Sequence, residues 1–292
     1  MMGDQGITND ILGAKRSAEL LQVRNILFNN PDSRSALLGR KILLGILADA
    51  DTTNLIISTQ FWDASDADKV INSLSEEKIL GMPVKELYTF RINDSLHYYA
   101  AFKEDLLMIS PSAHILTERL ALDPAKKNKF HTYVDQRQQI SKNKLLTGYI
   151  DFNTLKRAGL TFLSGKMDGE LAFLNNLDAF AEVNYNFSKT KLQLYGTTVV
   201  NGMQNYYRLF SELSPVPITI NNVLPANTSS YKIFGIDDIN KFKDLLAAHF
   251  KRAGLERSAK DLFNNIRQRY LIDLQNTVYS NFKNEMMTFQ LA

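Results

Sequence analysis

Cysteine is missing from all 292 residues, which excludes disulfides, thiolate metal sites and thiol nucleophiles at once. Long apolar runs are missing too. The longest, such as Ile42 to Leu47 and Leu106 to Ile109, fall far short of the roughly 20 residues that a bilayer-crossing helix takes. Met1 to Ala14 has neither a basic end nor an apolar core, so no signal peptide is legible there. No charge of one sign dominates: 34 Lys and Arg stand against 31 Asp and Glu, mixed through almost every stretch. A phosphate-binding surface concentrates its basic residues. The densest basic groups here, Lys126, Lys127 and Lys129 or Arg267 and Arg269, are short and are expected to be solvated surface, so no nucleic-acid partner is expected.

The motifs of common chemistries are absent as well. The fourteen glycines form no G-x-x-x-x-G-K or G-x-G-x-x-G phosphate loop. His97, His114, His131 and His249 lie at none of the short spacings that bring metal ligands together. Ser164-Gly165 and Ser110-Pro111 lack the elbow of a serine hydrolase and read as turn and cap residues. Asp237-Asp238 and Glu76-Glu77 are sequence neighbours suited to helix ends and exposed turns. No catalytic residue, metal ligand or cofactor is therefore expected.

What the chain does contain is an ordinary globular composition, 45% hydrophobic and 22% charged, enough to bury a core in one large domain or two smaller ones. One local pattern recurs: a β-prone run leads into Asp, and the Asp opens an amphipathic helix. Leu55 to Phe61 with Asp63 or Ser65 as the cap, Leu145 to Ile150 with Asp151, and Tyr231 to Ile236 with Asp237 are its three copies. After the first come three short strands, Leu87 to Ile92, Leu96 to Phe102 and Leu106 to Ile109, and then a helix with Ser110 as cap and Pro111 at its first position.

After the second copy a helix is expected over 152 to 163, then a hairpin of Phe180 to Phe187 and Leu192 to Val200, and a short helix from Tyr206 to Leu213. Two helices, Ile11 to Phe28 and Arg34 to Leu47, are predicted ahead of the first unit. After the third copy's helix, a capping box at Ser258 to Asp261 should start a long helix through Leu262, Ile266, Tyr270, Leu274 and Val278, followed by a strand near Met286 to Leu291. The fold class is thus α+β, with repeated β-α-β-β-(β)-α units whose antiparallel meanders pack on helices. The polar stretch Ser141 to Lys144 suggests a boundary between residues 1–142 and 143–292, the second part including the start of a third unit.

Exposed aromatics are the best candidates for a ligand surface: Tyr98 and Tyr99 in a predicted strand, Tyr206 and Tyr207, and Trp62, the only tryptophan. Such rings offer stacking area to a sugar or peptide, although core packing uses them equally well.

The phrases Tyr98-Tyr99-Ala100-Ala101-Phe102, Leu107-Met108-Ile109-Ser110-Pro111-Ser112, Gly148-Tyr149-Ile150-Asp151, Leu224-Pro225-Ala226-Asn227-Thr228-Ser229-Ser230-Tyr231 and Gly235-Ile236-Asp237-Asp238 resemble an uncharacterised domain-of-unknown-function family of exported cell-envelope proteins from Bacteroides-like bacteria. The likeness spans about residues 50 to 292, with the family's usual opening strand not evident before residue 50. It implies a periplasmic or cell-surface protein, tethered by a lipidated or membrane-spanning N-terminus ahead of residue 1. It carries over no catalytic residue. The expectation is a non-enzymatic binding or scaffolding module with a protein or glycan partner in the cell envelope, the alternatives being a carboxylate-based hydrolase or a carrier of an apolar small molecule.

Overall fold

The computed structural model describes residues 13–49, 52–123, 125–137, 146–155, 177–187, 192–202 and 205–291. The fold is α+β, its strands all pairing antiparallel. Two compact units divide the chain, Met1–Thr132 with Thr154–Lys166, and Tyr133–Asn153 with Met167–Ala292. The expected boundary at Ser141 to Lys144 lies outside the described residues.

The first unit opens with helices α1 (Ala14–Asn29) and α2 (Pro31–Leu37), followed by strands β1 (Ile42–Asp49) and β2 (Thr52–Gln60). Helix α3 (Ala64–Glu76) leads to β3 (Leu87–Arg91), β4 (His97–Lys103) and β5 (Leu106–Ser110), and α4 (Ala113–Leu120) ends the series. The five strands lie in the order β1-β2-β5-β4-β3. Side chains alternate across a pleated sheet, and here each face finds its own cover. Ile57, Phe90, Tyr98, Ala100, Leu107 and Ile109 pack on one face with Val23, Leu27, Leu37, Val70 and Leu74 of α1 to α3. Tyr99, Ala101, Leu106 and Met108 pack on the other with Leu116 and Leu120 of α4.

The predicted helix from Arg34 to Leu47 does not form. Asn30 caps α2 by accepting from the Ser33 N–H, Pro31 occupies its first position, and the helix stops at Leu37. Gly39 then turns the chain at φ 77°, and residues 42–49 pair along their whole length with β2. The spacing of Leu37, Leu38, Leu44 and Leu47 suits a helix, but the run from Ile42 to Leu47 is apolar at five of its six positions and suits a strand equally well. The long-range ladder decides. An opening strand therefore does precede residue 50.

Asp63 caps α3 as expected, its carboxylate accepting from the Asp66 N–H. Ser110 does not cap α4. Its buried hydroxyl donates to the Leu55 carbonyl at 2.7 Å, tying β5 to β2, and Ser112 is the cap, with Pro111 outside the helix. A helix that the sequence did not suggest, α5 (Lys129–Asp135), follows Asn128, whose side chain accepts from the His131 N–H.

In the second unit β6 (Leu146–Asp151), β7 (Ala179–Phe187) and β8 (Leu192–Val200) form a three-stranded sheet in that order. Asp151 accepts from the Asn153 N–H at 2.9 Å, and a helical turn covers residues 152–155. The rest of the helix expected there lies outside the described residues. The Tyr206 to Leu213 helix shortens to α6 (Arg208–Ser211). Strand β9 (Thr228–Gly235), helices α7 (Ile239–Arg252), α8 (Glu256–Tyr270) and α9 (Leu274–Asn281), and strand β10 (Glu285–Leu291) complete the chain, with β9 and β10 paired.

Three details depart from expectation. The cap of α7 is Asp238, which accepts from the Asn240 and Lys241 N–H groups, while Asp237 accepts from the Ser214 N–H. Helix α8 begins at Glu256, ahead of the supposed box at Ser258, and without a side-chain cap. The single long helix is two, because Leu271 adopts the left-handed conformation at φ 57° and Asp273 caps α9 afresh. The recurrent strand, acidic turn and helix also lack a shared sheet order: β2 neighbours β5, the last strand of its meander, whereas β6 neighbours β7.

Candidate functional site

A sheet offers unpaired N–H and C=O groups only at its edges, and the two edges of the first sheet differ. Beyond β3, the segment 79–84 satisfies the outer backbone: the Gly81 N–H donates to Thr89 O at 2.9 Å, and the Arg91 N–H donates to Ile79 O at 2.8 Å. A bridge between Leu80 and Phe90 continues this cover. Beyond β1 no strand pairs among the described residues.

The open edge is apolar on both of its faces. Ile42, Leu44 and Ile46 alternate with Leu43 and Gly45, and Ile42, Leu43, Leu44 and Ile46 are 40 to 55% exposed. By register Ile42, Leu44 and Ile46 lie beside Thr59, Ile57 and Leu55 on the face that carries α1 to α3, yet they reach past that helical cover. Among the described residues only a small pit, lined by Ile42 with Ser58, Thr59 and the core residues Leu27, Leu37, Ile57, Leu107 and Ile109, lies beside them. Leu38, exposed in the α2–β1 connection, extends the apolar surface. A Cβ at Gly45 would meet the Ile56 side chain at 2.7 Å, so Ile56 would have to shift to admit one.

Trp62 belongs to this end of the sheet. The Arg40 guanidinium lies 4.0 Å above its ring and donates to the carbonyls of Gln60 and Phe61. The ring stays 68% exposed, a flat surface held in place by a cation–π contact.

Tyr98 and Tyr99 part company, as strand alternation demands. Tyr98 is fully buried, and its hydroxyl donates to Glu19 Oε2 at 2.6 Å, while Arg16 Nη1 reaches the same oxygen at 2.8 Å. Burial opposes the charge on Glu19, but the bonds from Tyr98 and Arg16 outweigh it and hold the carboxyl below its ordinary pKa. Burial, then the Glu19 carboxylate, push the Tyr98 phenol far upward. Tyr98 is thus a core residue. Tyr99, half-buried on the α4 face, meets the His97 ring edge-on at 5.7 Å.

Tyr206 and Tyr207 lie in the second unit and touch edge-on at 5.8 Å. Tyr206 also meets Phe210 at 5.7 Å and His249 at 6.0 Å, and Phe210 stacks on Phe234 at 5.4 Å. Burial, helped by the phenols of Tyr207 and Tyr279, raises the pKa of Tyr206. His249 is buried in this cluster, and its Nδ1 has no hydrogen-bond partner among the described residues. Burial first, and then Arg252, lower its pKa.

The carboxylates of the recurrent motif are each engaged at a turn or cap of their own. Among the described residues no three His, Asp or Glu gather as metal ligands would, and no helix is long and apolar enough to cross a membrane. No family model matches the chain, and no curated protein or solved structure matches it. Sequence patterning misses the apolar edge residues because Ile42 to Leu47 fits a helix as well as a strand. The signal that would have found them is an uncharged, aliphatic run with no Pro or Lys to block pairing.

Proposed function

We propose that this chain is a non-enzymatic binding module of an exported cell-envelope protein, and that its partner docks along the open edge of the first sheet. The observation that supports the docking mode is the contrast between the capped β3 edge and the uncapped, aliphatic β1 edge. Long apolar edges invite strand addition, and proteins that do not use them block them with Pro, Lys, bulges or a covering segment. Among the described residues, strand β1 has none of these between Ile42 and Leu47. An added strand would gain main-chain hydrogen bonds, with Leu43 on one face and Ile42, Leu44 and Ile46 on the other to select its side chains. Trp62, braced by Arg40, would extend that contact at one end. The envelope setting is supported by the sequence phrases that resemble the exported family.

Envelope proteins captured by the chain should be lost when Leu44 and Ile46 are both replaced by Lys, in a variant whose far-ultraviolet circular dichroism is unchanged. Equal capture by the two forms would defeat the docking mode.

A further inference from the structure

We propose that the amphipathic face of α8 docks on an anionic bilayer surface, with the helix lying among the headgroups. This surface belongs to the second unit and is independent of the β1 edge. Helix α8 runs about 22 Å at 1.5 Å per residue. It buries none of its residues, although α7 and α9 pack against it. Ala259, Leu262, Phe263, Ile266 and Tyr270 recur at helical spacing and fall in one stripe about 100° wide. Leu262 and Tyr270 are each 57% exposed, and Ala259, Phe263 and Ile266 are half-buried. Leu255 before the helix and Leu271 and Ile272 after it add exposed apolar surface at its two ends, Leu271 being 90% exposed at the left-handed break.

Charge says what covers the stripe. Residues 251–270 hold six Lys and Arg against two Asp and Glu, whereas the rest of the chain holds 28 against 29. The cations are also placed. At 3.6 residues per turn, Lys260 and Arg267 follow the Phe263 border of the stripe and Arg269 follows the Leu262 border, while Asp261 falls on the far side. Glu256 sits in the first turn, where the helix dipole favours an acid. Arg257, Lys260, Arg267 and Arg269 are all exposed, and none forms an ion pair among the described residues.

An apolar stripe bordered by cations suits a helix that lies in a bilayer interface. The aliphatic and aromatic groups enter the acyl boundary, and the Lys and Arg stems run along apolar surface while their heads stay with the lipid phosphates. A nucleic acid would satisfy the charges and leave the stripe in water. An acidic protein would have to offer a groove matched to a convex ridge, whereas a fluid bilayer conforms to one.

The test is co-sedimentation of the whole chain with phosphatidylcholine vesicles, pure or containing about a third phosphatidylglycerol. The chain should bind the anionic vesicles and not the neutral ones, and binding should fall between about 0.1 M and 1 M salt, as the Debye length shrinks from about 10 Å to about 3 Å. Arg267→Glu with Arg269→Glu should weaken binding about tenfold or more, with far-ultraviolet circular dichroism unchanged. The same reversal at Lys126 and Lys129, exposed in the first unit, should leave it unaltered. Leu262→Trp in a Trp62→Phe background reads the apolar contact: its emission should shift to the blue with anionic vesicles and be quenched by brominated acyl chains.

No binding to anionic vesicles, equal binding to neutral ones, or equal loss from the reversals in the two units overturns the proposal. So does vesicle binding that leaves the Trp emission unmoved, because the stripe is then not the docking face. Retention on polyglutamate without vesicle binding assigns the cations to an acidic macromolecule and overturns it too.

Discussion

Tyr98 and Glu19 show how far a side chain's surroundings decide its use. A tyrosine chosen in sequence as a stacking surface spends its ring in the core and its hydroxyl on a buried carboxylate. Tyr98→Phe keeps the shape but removes that donor, and a hydrogen bond to a charged group contributes roughly 2 kcal/mol. Urea unfolding should lose about that much stability; no change would mean that Arg16 alone suffices for Glu19. Gly196 offers a sharper contrast. A Cβ there would stand 1.9 Å from the Glu182 carbonyl oxygen, whereas at Gly148 the nearest atom, Val183 O, is 3.8 Å away. Both glycines pair with Val183, from opposite sides. Gly196→Ala must displace the backbone of β7 and should cost about 3 kcal/mol or more, with Gly148→Ala the milder change in the same thermal melts.

Helix starts follow short-range chemistry, which is why most were legible to within a residue or two. Asp238 rather than Asp237 caps α7, because only the later carboxylate reaches the Asn240 and Lys241 N–H groups. Asp238→Ala should lower stability by about 1 kcal/mol, and amide exchange should quicken in the first turn of α7. The same substitution at Asp237 should leave that turn protected and loosen its link to Ser214 instead.

The break between α8 and α9 was not legible. Leu262, Ile266, Tyr270 and Leu274 keep helical spacing across it, and the interruption depends on Leu271 taking a conformation that leucine seldom adopts. Strand β1 escaped for a related reason: aliphatic runs serve helix and strand alike, and the ladder to β2 that settles the matter is not a local property. The meander β3 to β5 and the β7–β8 hairpin were legible because polar breaks fall at regular intervals between β-prone runs. Of the candidate aromatics, chain periodicity could not separate Tyr98, turned inward, from Trp62, exposed, since neither its cation–π partner nor its burial is encoded nearby.

Acid acts on the folded protein through groups held away from their ordinary pKa values. His249 is depressed from 6.5 by burial and Arg252, so the unfolded chain binds its proton more readily. Stability linked to it is complete above pH 6.5 and is lost as pH falls through the lowered value. Glu19 is depressed from 4.5, and its contribution is lost at still lower pH. Thermal stability should therefore fall in two stages on acidification. His249→Phe should remove the first stage and leave the second; a first stage that persists in that variant would assign it to another group.

The cover that residues 79–84 lay over β3 has a consequence for assembly. A sheet with two free edges keeps recruiting copies and grows into a filament. With one flank of this sheet covered, strand addition is confined, among the described residues, to β1, and a partner that joins there leaves the sheet no second edge on which to grow.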